Sequence, residues 1–284
     1  NWLAKGDRLP KVSDARTTTL RELFHFAGDS VPAAALRHLC HGDDAAAGAW
    51  LCADPVWVRS EATGARLMSW PLGDVSADEA EALASALRPL FGDADAPLSV
   101  DTPPAWCLHL FHGATRTEFL AGTEALGVDL VECLPAGDAG RAWRRLFNEA
   151  QIVLHAHPVN AARIAAGKRP VNALWFWGAG ALPASVESGL QIVASVDDVV
   201  RGLAKMGGAA RLEPLPEALD AAHCPGAALL DLDIPGHADS AADWLLHFER
   251  WLRERRFDAI AITFADGERF CVRHAHRLRF WRRA

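Results

Sequence analysis

Two apolar runs in this sequence close on acids: Ala227-Ala-Leu-Leu-Asp-Leu-Asp233 and Ala259-Ile-Ala-Ile-Thr-Phe-Ala-Asp266. The first continues into Ile234-Pro-Gly-His237, a D-x-x-x-H arrangement, and His276 follows the second at modest distance. Two carboxylates and two imidazoles are a ligand set suited to Zn²⁺ or Mn²⁺. If both runs are strands of a parallel sheet, Asp233, His237, Asp266 and His276 fall near the carboxyl ends, where ligands gather in open α/β sheets. Acids at strand ends also cap the next helix or sit in water, and spacing alone favours that plainer role over a perturbed site.

His155-Ala-His157-Pro-Val-Asn160 is the second group with chemical potential. His155 falls at the end of a helical pattern, where a cation complements the macrodipole. His157 and Asn160 either fix the following loop by hydrogen bonds or reach a ligand. Gly178-Ala-Gly180 lacks the third glycine of a dinucleotide fingerprint and reads as a tight turn. No serine sits in G-x-S-x-G, so a hydrolase elbow is not expected. Asp101 to Pro104 reads as a turn with no further role.

The elements that must carry these residues alternate in type. Helical spacing covers Thr19–Ala27 and Val31–His41, with Gly28 and Gly42 as stops. Pro55–Arg59 and Arg66–Trp70 read as strands around a turn at Thr63–Gly64, and Trp106–Phe111 and Val128–Leu134 as two more. Ser76-Ala-Asp-Glu79 is a capping box for a helix reaching about Phe91. Asp138 is positioned to cap a helix to about His155, with Trp143, Leu146, Phe147 and Ile152 as its apolar stripe. Val171–Trp177 is apolar on both faces, as covered parallel strands are. Leu190–Ala194 reads as another strand, followed by a helix that Ser195 caps. Ala227–Asp233 and Ala259–Ala265 read as buried strands flanking an amphipathic helix over Asp239–Arg255. Repeated β–α alternation argues for a parallel sheet with helices on both faces.

A formal charge of −7 disfavours a nucleic-acid footprint, and the basic stretch from Arg273 to Arg283 is interleaved with Phe280 and Trp281. Six cysteines are scattered without a C-x-x-C pair, which suits reduced thiols in a cytoplasmic protein. No apolar run has the length of a membrane span, and no signal peptide opens the chain.

Several of these segments, in this order, resemble a known family. Asp54-Pro-Val-Trp-Val-Arg59 through Ala80, His157-Pro-Val-Asn160, Gly167-Lys-Arg-Pro-Val-Asn172 and Trp177-Gly-Ala-Gly180 are similar to RpfE-type regulatory proteins. That group is in turn similar to the archaeal-type cofactor-independent phosphoglycerate mutases of the alkaline-phosphatase superfamily. The resemblance implies a three-layer α/β domain with a parallel sheet (residues 1–50 and 136–284) and a smaller inserted α/β domain (residues 51–135). It also implies two divalent metals and a nucleophilic serine. Asp233 and His237 match the family's D-x-x-G-H motif, Asp266 matches the aspartate of a later Asp-His pair, and His276 falls where the last metal histidine lies. Gly267 stands where that pair has its histidine, and the early Asp-Gly strand end is not found before residue 50. The serine would fall near Ser30, and an arginine of the inserted domain is replaced around Cys107, while Arg59 matches a second. Arg59, His157, Asn160, Arg163 and Asn172 are the implied ligand-binding residues, for a small phosphorylated or acidic ligand. A phosphomutase needs its metals to activate the serine and neutralise the transferring group. The expectation is therefore a regulatory or ligand-binding descendant with at most one divalent ion (Mn²⁺ or Zn²⁺). The alternative is a metal-dependent phosphomutase or phosphohydrolase with a reduced site.

Overall fold

The computed structural model describes residues 2–61, 64–111, 119–209, 211–213, 226–232 and 240–279. The chain forms two compact units, one of residues 1–27 with 184–284 and one of residues 28–183. The inserted unit expected at residues 51–135 lies within the second of these, which also takes in a helix before it and two after it.

The first unit carries two three-stranded sheets. In one, β1 (Asp7–Leu9), β11 (Arg269–Arg273) and β10 (Ala259–Thr263) pair antiparallel in the order β1-β11-β10. In the other, β7 (Leu190–Ala194) is flanked by β8 (Arg211–Glu213) and β9 (Ala227–Leu230), all parallel. Helices α1 (Ala15–Leu23), α8 (Asp198–Met206) and α9 (Ser240–Arg253) belong to the same unit. On α9 the buried Trp244, Phe248 and Trp251 form an aromatic stripe that receives Ile260 and Ile262 of β10. The cap of α8 is Asp197 rather than Ser195, because its carboxylate accepts from the Val199 and Val200 amides. The Ser195 hydroxyl donates instead to Asp231 at 2.7 Å.

The second unit is built on one long strand, β2 (Ala49–Glu61). Its first half lies between β5 (Ala105–Leu110) and β6 (Ala173–Ala181), and its second half pairs with β3 (Gly64–Ser69). β4 (Leu98–Thr102) completes the sheet beside β5, and every one of these pairings is antiparallel. Successive side chains of a strand point to opposite faces. Trp50 and Cys52 accordingly pack with Cys107 under α2 (Ala33–His41), while Leu51 and Ala53 enter the larger core on the other side. That core receives α3 (Ala77–Gly92), which buries Ala80, Leu83, Ala84, Leu87 and Phe91, a stripe at helical spacing. It also receives Phe147, Ala150 and Leu154 of α6 (Gly137–His155).

The expected capping box is present: the Ser76 hydroxyl accepts from the Glu79 amide and the Glu79 carboxylate from the Ser76 amide. Several expectations are corrected. Val171–Trp177 was expected to be parallel, but β6 runs antiparallel to β2; it is apolar on both faces because helices cover both, whatever the strand direction. Parallel pairing among the named strands is confined to β7, β8 and β9, so the three-layer parallel sheet is not what the described residues form. Val128–Leu134 holds a short helix, α5 (Leu130–Cys133), after a second short one, α4 (Gly122–Ala125), rather than a strand. Ile152 is 70% exposed and stands outside the α6 stripe. β9 and β10 are only partly buried. Gly178 ends the straight part of β6 at φ +64°, and a Cβ there would stand 2.8 Å from that of Ala33, so the glycine lets α2 close onto the sheet.

Candidate functional site

Under α2, in the second unit, lies a group of buried polar side chains. Ala33 to His38 are all buried, so the adjacent Arg37 and His38 are carried into the interface with the sheet. The Arg37 guanidinium grips Asp54 of β2 with two bonds, of 2.8 and 3.0 Å, a bidentate pair. Asp54 also accepts from the indole N–H groups of Trp70 (3.0 Å) and Trp177 (2.7 Å). The Trp106 amide adds a longer contact at 3.4 Å. Burial alone would lower the Arg37 pKa, but the Asp54 charge more than offsets it, so the guanidinium stays protonated.

His38 is held at both nitrogens. Nδ1 is 2.7 Å from Asp101 of β4, and Nε2 is 2.8 Å from Asp44. Burial pulls the imidazole pKa down, and the hydrogen bonds to Asp101 and Asp44 outweigh it and raise it. Trp50 lies against the ring with centroids 3.8 Å apart. The Cys107 sulfur is 3.5 Å from both His38 Nδ1 and the bonded Asp101 oxygen. Burial, and then the Asp101 charge, push this thiol far above the usual cysteine range. Nitrogen, oxygen and sulfur of His38, Asp101 and Cys107 all lie within 4.8 Å of one another, a spacing compatible with one metal ion. No local pattern in the sequence signals this group: Asp101 reads as a turn residue, and its partner His38 is 63 positions away.

The residues expected from sequence are placed as follows. Asp233 and His237 lie outside the described residues. Asp266 is exposed in the β10–β11 hairpin turn, where it accepts from the Glu268 amide and faces Lys11. His276 lies at the opposite end of β11, in a short 3-10 helix, accepting from the Arg273 amide with Asp7 3.5 Å from its other nitrogen. β11 has five residues, which separates the two by about 16 Å of strand, so they do not converge. A histidine at position 267 is excluded sterically: Gly267 has φ +85°, and a Cβ would meet the Val12 carbonyl oxygen at 1.9 Å. Ser30 is exposed in a bend ahead of α2.

The five implied ligand-binding residues all lie in the second unit, where each has a partner of its own. Asn160 is buried and makes three bonds, to the Leu154 and Val171 carbonyls and from the Val171 amide. Asn172 bridges both backbone groups of Val58. Arg163 of α7 (Pro158–Ala165) is buried and binds Asp74, the Arg169 carbonyl and Glu79 of the capping box. His157 caps α7 through the Val159 amide, and Arg59 pairs with Glu61 at the surface.

A pocket of about 250 Å³ opens in the first unit between α9 and the end of β11. Lys5, Arg253, Arg273, His274, His276 and Arg277 line it, with Glu249 as its one acid among the lining residues. His276, expected as a metal ligand, lines this pocket with the Asp7 carboxylate 3.5 Å from its Nε2.

The chain is distantly similar to archaeal cofactor-independent phosphoglycerate mutases. The 2,3-bisphosphoglycerate-independent phosphoglycerate mutase of Methanosarcina barkeri is 31% identical over 122 residues, 42% of this chain and 30% of that one. The enzyme of the same name from Methanosarcina acetivorans is 26% identical over 224 residues, 71% of this chain and 51% of that one. This chain thus spans 30% and 51% of the length of these two mutases. The cofactor-independent phosphoglycerate mutase of Thermoplasma acidophilum aligns over 76% of this chain and 62% of that one, at 19% identity and a TM-score of 0.43. No protein-family model matches the sequence. Among the described residues, no helix is long and apolar enough to cross a membrane.

Proposed function

We propose that this protein is a phosphoglycerate-mutase-like binding module, of a regulatory rather than phosphotransfer kind, whose ligand is a small phosphorylated or carboxylated anion. The observation that carries this reading is the cationic pocket beside α9. Three arginines, one lysine and two histidines face a space of about 250 Å³ with one carboxylate among them. Arg253 engages that carboxylate, Glu249, at 2.7 Å, and Arg273 lies 3.7 Å from Asp7. The remaining positive charge is suited to phosphate or carboxylate oxygens, which guanidinium groups bind in bidentate fashion. Similarity to mutases named for phosphoglycerate points to the same class of compound. The separation of Asp266 from His276 argues against two-metal activation of a serine through that pair.

Calorimetry with 3-phosphoglycerate as probe tests the reading, alongside an isomerisation assay in added Mn²⁺ or Zn²⁺. Saturable binding is expected, weakened at least about tenfold by Arg277→Ala, which removes a cation from the pocket. Turnover of the probe that disappears in an Asp233→Ala/His237→Ala protein would instead establish the phosphomutase alternative.

A further inference from the structure

We propose that His38, Asp101 and Cys107 form a zinc site under α2, separate from the anion pocket and independent of that reading. The distances match such a site. With metal–ligand bonds of about 2.0–2.3 Å, donors of a tetrahedral zinc centre stand about 3.3–3.6 Å apart. Cys107 Sγ lies 3.5 Å from His38 Nδ1 and 3.5 Å from Asp101 Oδ1, so two edges are already at that length. The third, His38 Nδ1 to Asp101 Oδ1, is 2.7 Å and must open by about 0.7 Å.

A second, independent observation points the same way. The Asp101 side chain is 97% buried, yet its other oxygen, Oδ2, has no hydrogen-bond partner among the described residues. A buried carboxylate oxygen without a donor is costly and calls for an explanation. An ion in this position supplies one.

The surroundings are those of a ligating histidine. Metal-bound imidazoles commonly hand their second nitrogen to a carboxylate, which fixes the ring and its tautomer. His38 does this with Asp44, through Nε2 at 2.8 Å, leaving Nδ1 turned toward Asp101 and Cys107. Trp50 against the ring supplies an apolar wall. The Arg37–Asp54 pair beside the cluster is neutral as a unit and adds no net charge. Zn²⁺ binds the thiolate form of Cys107 and a deprotonated ring nitrogen of His38, so protons leave as the metal enters. Imidazole, thiolate and carboxylate donors together suit Zn²⁺ rather than Mg²⁺ or Ca²⁺. Three protein donors leave the fourth position to water.

Titration of the purified 284-residue chain with Co²⁺, a coloured stand-in for Zn²⁺, tests the proposal. One equivalent should bind with a thiolate-to-cobalt charge-transfer absorption, and Zn²⁺ should bleach it. Cys107→Ser should abolish that absorption and Cys133→Ser should leave it. Asp44→Asn, which touches only the second nitrogen of His38, should weaken binding by about tenfold while keeping the absorption. A folded wild-type protein that shows no thiolate absorption overturns the assignment, as does an absorption that survives Cys107→Ser. The wild-type result decides the matter even if the Cys107 variant does not fold.

Discussion

Asp54→Asn offers the sharpest test of how the second unit holds together. The carboxylate takes five donors: Arg37 Nη1 and Nη2, the indole nitrogens of Trp70 and Trp177, and the Trp106 amide. An asparagine keeps the shape but offers one acceptor oxygen and an amino group that only donates. In its better orientation the oxygen replaces Oδ2, serving Arg37 Nη1, Trp70 and Trp177, while the amino group faces Arg37 Nη2 and the Trp106 amide. Arg37, 10% exposed, then becomes a buried charge without a bonded carboxylate. Removing one member of such a pair costs about 3–5 kcal/mol, against a total stability on the order of 5–15 kcal/mol. With an m-value of about 2 kcal/mol/M, the urea midpoint should fall by roughly 2 M. Tryptophan fluorescence is the natural probe, since two of the partners are indoles. Arg37→Met alone leaves Asp54 with its indole donors and should cost less. The double variant should lose clearly less than the sum of the two, by about 1–3 kcal/mol. A loss below about 1 kcal/mol for Asp54→Asn would refute the argument, because the charge would then have found solvent or another partner.

Other expectations follow from the same structure. Asn160→Ala removes three bonds by which a buried side chain of α7 holds the backbone of Leu154 and Val171, and should lower stability by about 2–4 kcal/mol, read as a fall in melting temperature with the anion site intact. Glu79 is held below the usual glutamate range: burial opposes this, but the Ser76 amide and Arg163 prevail. Its folded pKa is depressed, so its contribution is present above pH ~4.3 and is lost as pH falls through the folded value. Glu79→Gln should therefore flatten the loss of stability on acidification below pH ~4.3, measured by denaturation across pH. Gly267→Ala should cost at least about 2 kcal/mol, since the residue needs φ +85° and its Cβ would strike the Val12 carbonyl; an unchanged melting temperature would show that the Val12 segment gives way.

Contacts between near neighbours leave a mark in the sequence, and contacts between distant segments leave little. Ser76 and Glu79 are three residues apart and satisfy each other's backbone, so the start of α3 was legible without any knowledge of the rest. The direction of β6 was not legible, because a strand covered by helices on both faces is apolar on both whether it runs parallel or antiparallel to its neighbour. Val128–Leu134 carries the composition of a strand, yet it bends into a short helix whose Leu130 and Cys133 join the core through tertiary contacts. The polar cluster under α2 depends on the pairing of Cys52 with Cys107 across β2 and β5, and on α2 lying over that pair. Neither is written in a spacing. Likewise Asn160, Arg163 and Asn172 have the chemistry of ligand-binding residues, and only their observed partners show that backbone groups and two acids already occupy them.

Gly267 sets a limit on what its hairpin turn can carry. The hairpin turn uses a backbone conformation that suits glycine, and the Val12 amide donates to the Gly267 carbonyl at 3.2 Å across the same gap. A segment near the beginning of the chain has thus settled into the space that a side chain would need. Any side chain placed at this position would require the turn and the Val12 segment to move first, each at a cost to folding. The tip of the hairpin is thus tied to the segment before α1 by its backbone alone, and position 267 can contribute no side chain to a site while that contact holds.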